Sequence, residues 1–100
     1  MNISREQRDD HTIVRMEGRF DTVHAKTFDS FFAETVEAVS SAIAVDMSRV
    51  DYIASSGLRS LLIAAKQMKA AGRELTLSGL QPHVREVFDI SGFSTIFKIV

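Results

Sequence analysis

Ala42-Ile43-Ala44-Val45-Asp46-Met47 sets its large apolar side chains on alternate residues, and shortly downstream the apolar spacing changes to that of a helix. Ile43, Val45 and Met47 point one way along a candidate central strand, and small alanines leave room for close packing on its other side. From about Ser56 to Ala71, Leu58, Leu61, Leu62, Ala65 and Met68 form one helical stripe, with Gly72 as the stop. A strand that feeds an amphipathic helix buries both apolar faces at once only if the helix folds back on a sheet. Leu75 and Leu77, ending at Gly79, supply the next strand. The chain is thereby committed to an α/β fold.

The flanking segments extend this plan without a linker, a repeat or a low-complexity tract. Ile13-Val14-Arg15-Met16 reads as a strand paired with the polar stretch from Ile3 to Arg8 across a turn at Asp9-Asp10. Gly18-Arg19-Phe20-Asp21-Thr22 is expected to form a loop. A helix follows with Ala25, Phe28, Phe32, Thr35 and Val39 on one face, and this spacing assigns Phe28, Phe31 and Phe32 to packing rather than to an aromatic ligand site. Pro82 stands where a first-turn proline belongs, with Val84, Val87 and Phe88 facing inward as far as Ser91-Gly92. Ile96-Phe97-Lys98-Ile99-Val100 closes the chain as a strand or a short packed tail. Residues 1–100 make one domain, with a mixed sheet of about four to five strands and helices packed against it.

Composition removes several functions. The net charge of −1 provides no basic field for nucleic acid or an anionic membrane. Without cysteine there is no disulfide, no thiolate catalysis and no cysteine-held zinc. No apolar run reaches the length of a membrane span, and Met1-Asn2-Ile3-Ser4-Arg5-Glu6 is not a signal peptide, so a cytoplasmic location is expected. No metal site or cofactor is expected either, because His11, His24 and His83 fall on different elements without ligand spacing.

Chemistry concentrates at Ile53-Ala54-Ser55-Ser56-Gly57-Leu58-Arg59, between the central strand and its helix. Open α/β sheets gather their ligands at the carboxyl ends of strands. Two serines at a helix N-terminus suit two roles there. One is an N-cap that accepts a backbone N–H. The other is a phosphate held by free N–H groups and the positive end of the helix dipole. Hydrolase chemistry fits poorly, since the segment is not a Gly-x-Ser-x-Gly elbow and no base is oriented toward a nucleophile. Asp46 lacks the acidic partner and lysine of phospho-aspartate chemistry, and no glycine-rich loop cradles a nucleotide. The expected protein is not an enzyme.

Five landmarks in order give the chain a family resemblance: Gly18-Arg19-Phe20-Asp21, Val45-Asp46-Met47-Ser48, Tyr52-Ile53-Ala54-Ser55-Ser56-Gly57-Leu58, Lys66-Gln67-Met68-Lys69-Ala70-Ala71-Gly72, and Val84-Arg85-Glu86-Val87-Phe88-Asp89-Ile90-Ser91-Gly92-Phe93. Over nearly its whole length it resembles the STAS-domain anti-sigma factor antagonists of bacterial partner-switching pathways. The resemblance implies a STAS-like domain in which Ser55 accepts phosphate from an anti-sigma factor that is itself a serine kinase. Ser56 would cap the helix, Gly57 would let the two protein backbones approach, and Asp21 would lie beside the phosphosite. The unphosphorylated form would bind the kinase and release a sigma factor, phosphorylation would break that complex, and a metal-dependent serine phosphatase would reset it. ATP would be bound by the partner. Ala54 departs from the aspartate that many members carry before the acceptor, which removes a like charge beside a phosphate and a polar handle for the partner.

On the helical wheel Ile63 lies opposite the core positions, flanked by Arg59, Gln67 and Ala70, and offers a docking anchor near Ser55. His24, close to Asp21, would edge the same surface. A monomer is the default for a module that exposes this face. The alternative is a constitutive STAS subunit or scaffold, for example of a lipid-transport assembly, in which Ser55 and Ser56 only cap the helix.

Overall fold

The computed structural model describes residues 1–100. Strands β1 (Asn2–Gln7) and β2 (His11–Phe20) form the expected hairpin, antiparallel across Asp9-Asp10, with Ile3 opposite Met16 and Glu6 opposite Ile13. Helix α1 (Thr22–Ala38) returns the chain to β3 (Ala42–Ile53), which pairs parallel with β2. Helix α2 (Ser55–Ala70) leads to β4 (Leu75–Ser78). Helix α3 (Pro82–Ser91) and a 3-10 turn at Phe93–Thr95 lead to β5 (Lys98–Ile99), so the closing segment is a short strand. The five strands lie in the order β1-β2-β3-β4-β5, and only β1 runs against the rest.

Every crossover joins adjacent strands and advances across the sheet in one direction, so right-handed connections stack all three helices on one face. A single core of 20 buried residues forms there, drawing Val14, Val45 and Leu77 from the sheet, Phe28 and Phe32 from α1, Leu61 and Met68 from α2, and Val84 and Phe88 from α3. Phe20, Phe28 and Phe32 pack in sequence, the first pair tilted and the second stacked, with ring centroids 5.2 Å and 5.4 Å apart. The opposite sheet face carries Ala42 and Ala44 with no helix over them. It is polar, organised by Arg15, which donates to Glu6 at 2.6 Å and lies 3.7 Å from Asp46.

The structure changes three expectations. Gly18-Arg19-Phe20 is strand, not loop: Gly18 takes φ +107° inside β2, and Phe20 is fully buried. The central strand runs past Met47 to Ile53 because β3 inserts an extra residue against β2 at two places, so its buried positions shift from Ile43, Val45 and Met47 to Val50 and Ile53. On α2 the buried stripe includes Gly57, Ser60 and Ala64, while Leu62 and Ala65 are only half-buried at the edge of the core.

Two side-chain clamps hold the connections. Arg73 donates from Nε (2.9 Å) and Nη2 (2.6 Å) to the Ser41 carbonyl and from Nη1 (2.9 Å) to that of Val36, fixing the exit of α1. At the other end of the sheet β4 pairs only with residues 43–46 of β3. Beyond that point α3 takes its place, with Gln81 Nε2 donating to the Ser48 carbonyl (3.0 Å) and His83 Nε2 to that of Asp51 (2.6 Å).

Gly57 sits in the first turn of α2 and faces inward. A Cβ there would lie 2.8 Å from the Phe20 carbonyl oxygen and 3.0 Å from Ile53 Cγ1. The close approach that this glycine permits is therefore between α2 and the ends of β2 and β3, not between two proteins. Gly57→Ala should lower stability, since about 1–3 kcal/mol of overpacking outweighs roughly 1 kcal/mol of helix propensity. An unchanged or raised urea midpoint would show that the strand ends yield.

Candidate functional site

β2 and β3 end level with each other, Phe20 paired with Ile53, and each turns at once into a helix. The Ala54 amide donates to the Phe20 carbonyl at 3.0 Å, which binds the two turns together. Two helix N-termini, each with unpaired N–H groups and a positive dipole end, therefore open side by side at the carboxyl edge of the sheet.

The termini are finished differently. Asp21 caps α1: its Oδ1 accepts the His24 amide at 3.1 Å, and His24 Nδ1 lies 2.8 Å from the same oxygen. That backbone hydrogen bond, helped by the charges of His24 and Arg19, holds the Asp21 carboxyl below the usual aspartate range. The N-cap of α2 is Ala54, which has no side-chain oxygen to offer. Neither serine caps the helix. Both lie inside its first turn, where a serine side chain no longer reaches the free amides in the N-cap manner.

The two hydroxyls also differ from each other. Ser56 is half-buried, and its Oγ shares a hydrogen bond of 3.1 Å with Thr22 Oγ1, bridging α2 to α1. Ser55 is exposed, and its hydroxyl makes no hydrogen bond within the chain. The contacts from Ala54 to Phe20 and from Ser56 to Thr22 bracket Ser55 on one segment and Asp21 on the other, so these two residues belong to one surface.

From Ser55 an unbroken row of exposed side chains runs along α2 at four-residue spacing: Ser55, Arg59, Ile63 and Gln67. Ile63 is 44% exposed, and with Gln67 it overlooks the shallow seam between α2 and the Phe28–Phe32 turn of α1. Gly57 leaves the surface set, as its packing requires. His24 is half-buried off this row, its Nδ1 near Asp21 without completing a hydrogen bond and its Nε2 3.3 Å from the Met1 amino group. Reading the sequence missed Thr22, the partner of Ser56, and the stacking of Arg19 over the Tyr52 ring at 4.0 Å on the same strand ends. The signal for Thr22 was its place directly after a capping aspartate; Arg19 and Tyr52 become neighbours only through the register shift in β3.

The architecture is that of a small α/β domain: an open mixed sheet covered on one face, with two helix starts side by side at its carboxyl edge. The chain belongs to the STAS domain family, whose profile matches residues 2–100. Among curated proteins it is similar to BtrV of Bordetella bronchiseptica, provisionally described as an anti-sigma factor antagonist, at 37% identity over 99% of this chain and 85% of that one. Its fold is shared with a Thermotoga maritima protein of the same provisional description (TM-score 0.89, 21% identity, 97% of this chain and 84% of that one). It is also shared with the phosphorylated form of the Bacillus cell fate determinant SpoIIAA (TM-score 0.74, 18% identity, 99% and 91%). No helix is long and apolar enough to cross a membrane.

The Asp21 carboxyl sets a pH dependence whose sign is fixed. A carboxyl with a lowered folded-state pKa contributes stability that is complete above its unfolded value and is lost as pH falls through the folded one. Asp21→Asn keeps a capping oxygen but has no charge to titrate. Its melting temperature should fall below wild type near neutral pH, with the gap closing below about pH 4. A gap that stays constant down to acid pH would mean that the charge of Asp21 contributes nothing.

Proposed function

We propose that this chain is an anti-sigma factor antagonist whose binding is switched off by phosphorylation of Ser55. In this reading the unphosphorylated protein binds an anti-sigma factor that is a serine kinase and so frees the kinase's target. Transfer of the ATP γ-phosphoryl group to Ser55 Oγ dissolves the complex, and a metal-dependent serine phosphatase restores the hydroxyl. The cytoplasm is where these partners would meet.

One observation carries the choice of residue: Ser56 spends its hydroxyl on Thr22, whereas Ser55 is exposed with its hydroxyl free. A phosphoryl group can be added at Ser55 without breaking any bond of the fold. The family membership and the description of BtrV support the pathway. The alternative of a constitutive subunit gave both serines a capping role, and Ala54 holds that position instead.

The physics of the switch lies in the interface. A phosphate adds about −1.5 to −2 charges. At the two helix N-termini the free protein tolerates it well. Trapped against a partner without a matched cation, it costs several kcal/mol of desolvation, and each ~1.4 kcal/mol is tenfold in affinity. Ala54 adds no carboxylate to that repulsion, which leaves Asp21 as the carboxylate on the surface that the phosphate would join.

Native-host lysate with ATP, in which kinase activity has been verified, is the assay, read by phosphosite mass spectrometry and by affinity for the captured kinase. Phosphate should appear on Ser55 alone, Ser55→Ala should retain the kinase in the presence of ATP, and Ser55→Glu should bind at least about tenfold more weakly. Phosphate on Ser56, or a Ser55→Glu protein that binds like wild type, would sink the electrostatic account.

The Ile63 row is assigned to the same partner. Ile63→Lys should weaken kinase binding by about tenfold or more while stability stays within about 0.5 kcal/mol, as for other surface changes. A large fall in melting temperature with unchanged affinity would return Ile63 to the core.

A further inference from the structure

The flank of α2 next to the Ser55 row borders a second, open depression, with Lys66 standing between the two. Because α3 is drawn over the Ser48–Ile53 half of β3, no helix covers the other end of β4 and β5. A groove of about 540 Å³ remains, with Leu62 and Ala65 of α2 on one wall and Leu75 and Ile96 on the other. Ile96 is 55% exposed there, an apolar side chain held out over an apolar floor.

Charge surrounds this floor with one sign. Lys66 and Lys69 stand one helical turn apart along its edge, and neither makes an ion pair. Across the groove Lys98 is held by Glu74 at 2.8 Å, and Arg73, committed to the carbonyls of Ser41 and Val36, still adds its charge. No carboxylate lines the groove. On a chain whose net charge is −1 this is a local concentration of positive charge over apolar surface.

We propose that this groove docks an acidic amphipathic segment of a partner protein, with apolar side chains seated between Leu62 and Ile96 and carboxylates meeting Lys66 and Lys69. A chain of net charge −1 has no broad basic field for an anionic bilayer, which favours a peptide here. Along α2 the groove begins at Leu62, about 10 Å from Ser55, and Lys66 and Lys69 stand about 17 and 21 Å away, beyond the ~8 Å over which physiological salt lets exposed charges act. A segment docked here is therefore indifferent to phosphate on Ser55, and the module holds one partner constantly while exchanging another.

The probe is a fluorescent synthetic peptide of roughly 18 residues, long enough to form a helix, with leucines on one face and glutamates on the other. It is titrated into isotope-labelled full-length protein. Amide shifts are expected at Leu62, Ala65, Lys66, Lys69 and residues 96–98, with affinity that falls as salt is raised. The double variant Lys66→Glu/Lys69→Glu should bind at least about tenfold more weakly, whereas Ser55→Glu and Ile63→Lys should bind like wild type. The proposal is overturned by a glutamine-for-glutamate peptide binding equally well, by shifts confined to the Ser55–Gln67 row, or by no saturable binding. It is equally overturned if phosphatidylglycerol vesicles shift these amides and the peptide does not. Loss of binding in Ile63→Lys would merge the groove with the kinase surface and end its independence.

Discussion

The parallel pairing of β2 with β3, carried to their last residues, is the constraint on which the rest of the structure depends. It brings the Phe20 carbonyl within reach of the Ala54 amide and presses it against the bare Cα of Gly57. Those two contacts fix where both helices begin. With α1 and α2 anchored at one edge, their apolar stripes meet over Val14, Val45 and Leu77, and the packed rings of Phe20, Phe28 and Phe32 fill the space between them. The pairing reaches the ends only because β3 absorbs two extra residues along the way. The site is thus a product of sheet register more than of any loop.

The work is divided between neighbours at that site. Asp21 and Thr22 are spent on holding the start of α1 and its link to α2. Ser56 is spent on the same link. What is left over, Ser55 and the row it begins, is free to be chemically altered because nothing folded depends on it. In the proposed switch integrity is separate from signal: the groups that keep the shape are not the group that would be modified.

The α/β plan, the hairpin, the core face of α1 and the placing of the two serines at a strand–helix junction were all legible in the sequence, because each rests on periodicity or on a turn residue acting locally. What escaped has one cause. After Met47 the apolar residues Val50 and Ile53 recur every third position, which is neither strand nor helix spacing on its own. Only the opposing strand shows that the residues between them are accommodated by register shifts. Gly18 misled in the same way, since a positive φ in a shifted strand and one in a loop look alike from sequence. Capping was misassigned to the serines because propensity favours serine at an N-cap, while tertiary contact with Phe20 places the boundary one residue earlier, at Ala54. Arg73 could not be foreseen at all: its targets are backbone carbonyls more than thirty positions away.

The side chains of Gln81 and His83 also have a bearing on solubility. β4 stops short, and the outer edge of β3 from Ser48 onward carries main-chain carbonyls that no strand answers. Two of them are answered by these side chains of α3. The helix thus acts as a lid on an otherwise open strand edge, the kind of surface that recruits foreign strands and seeds aggregates. Loosening of α3 would therefore threaten more than local order. It would uncover a template for β-addition close to Ser55, so the tether from Gly79 to Pro82 keeps that edge covered as well as holding the helix in place.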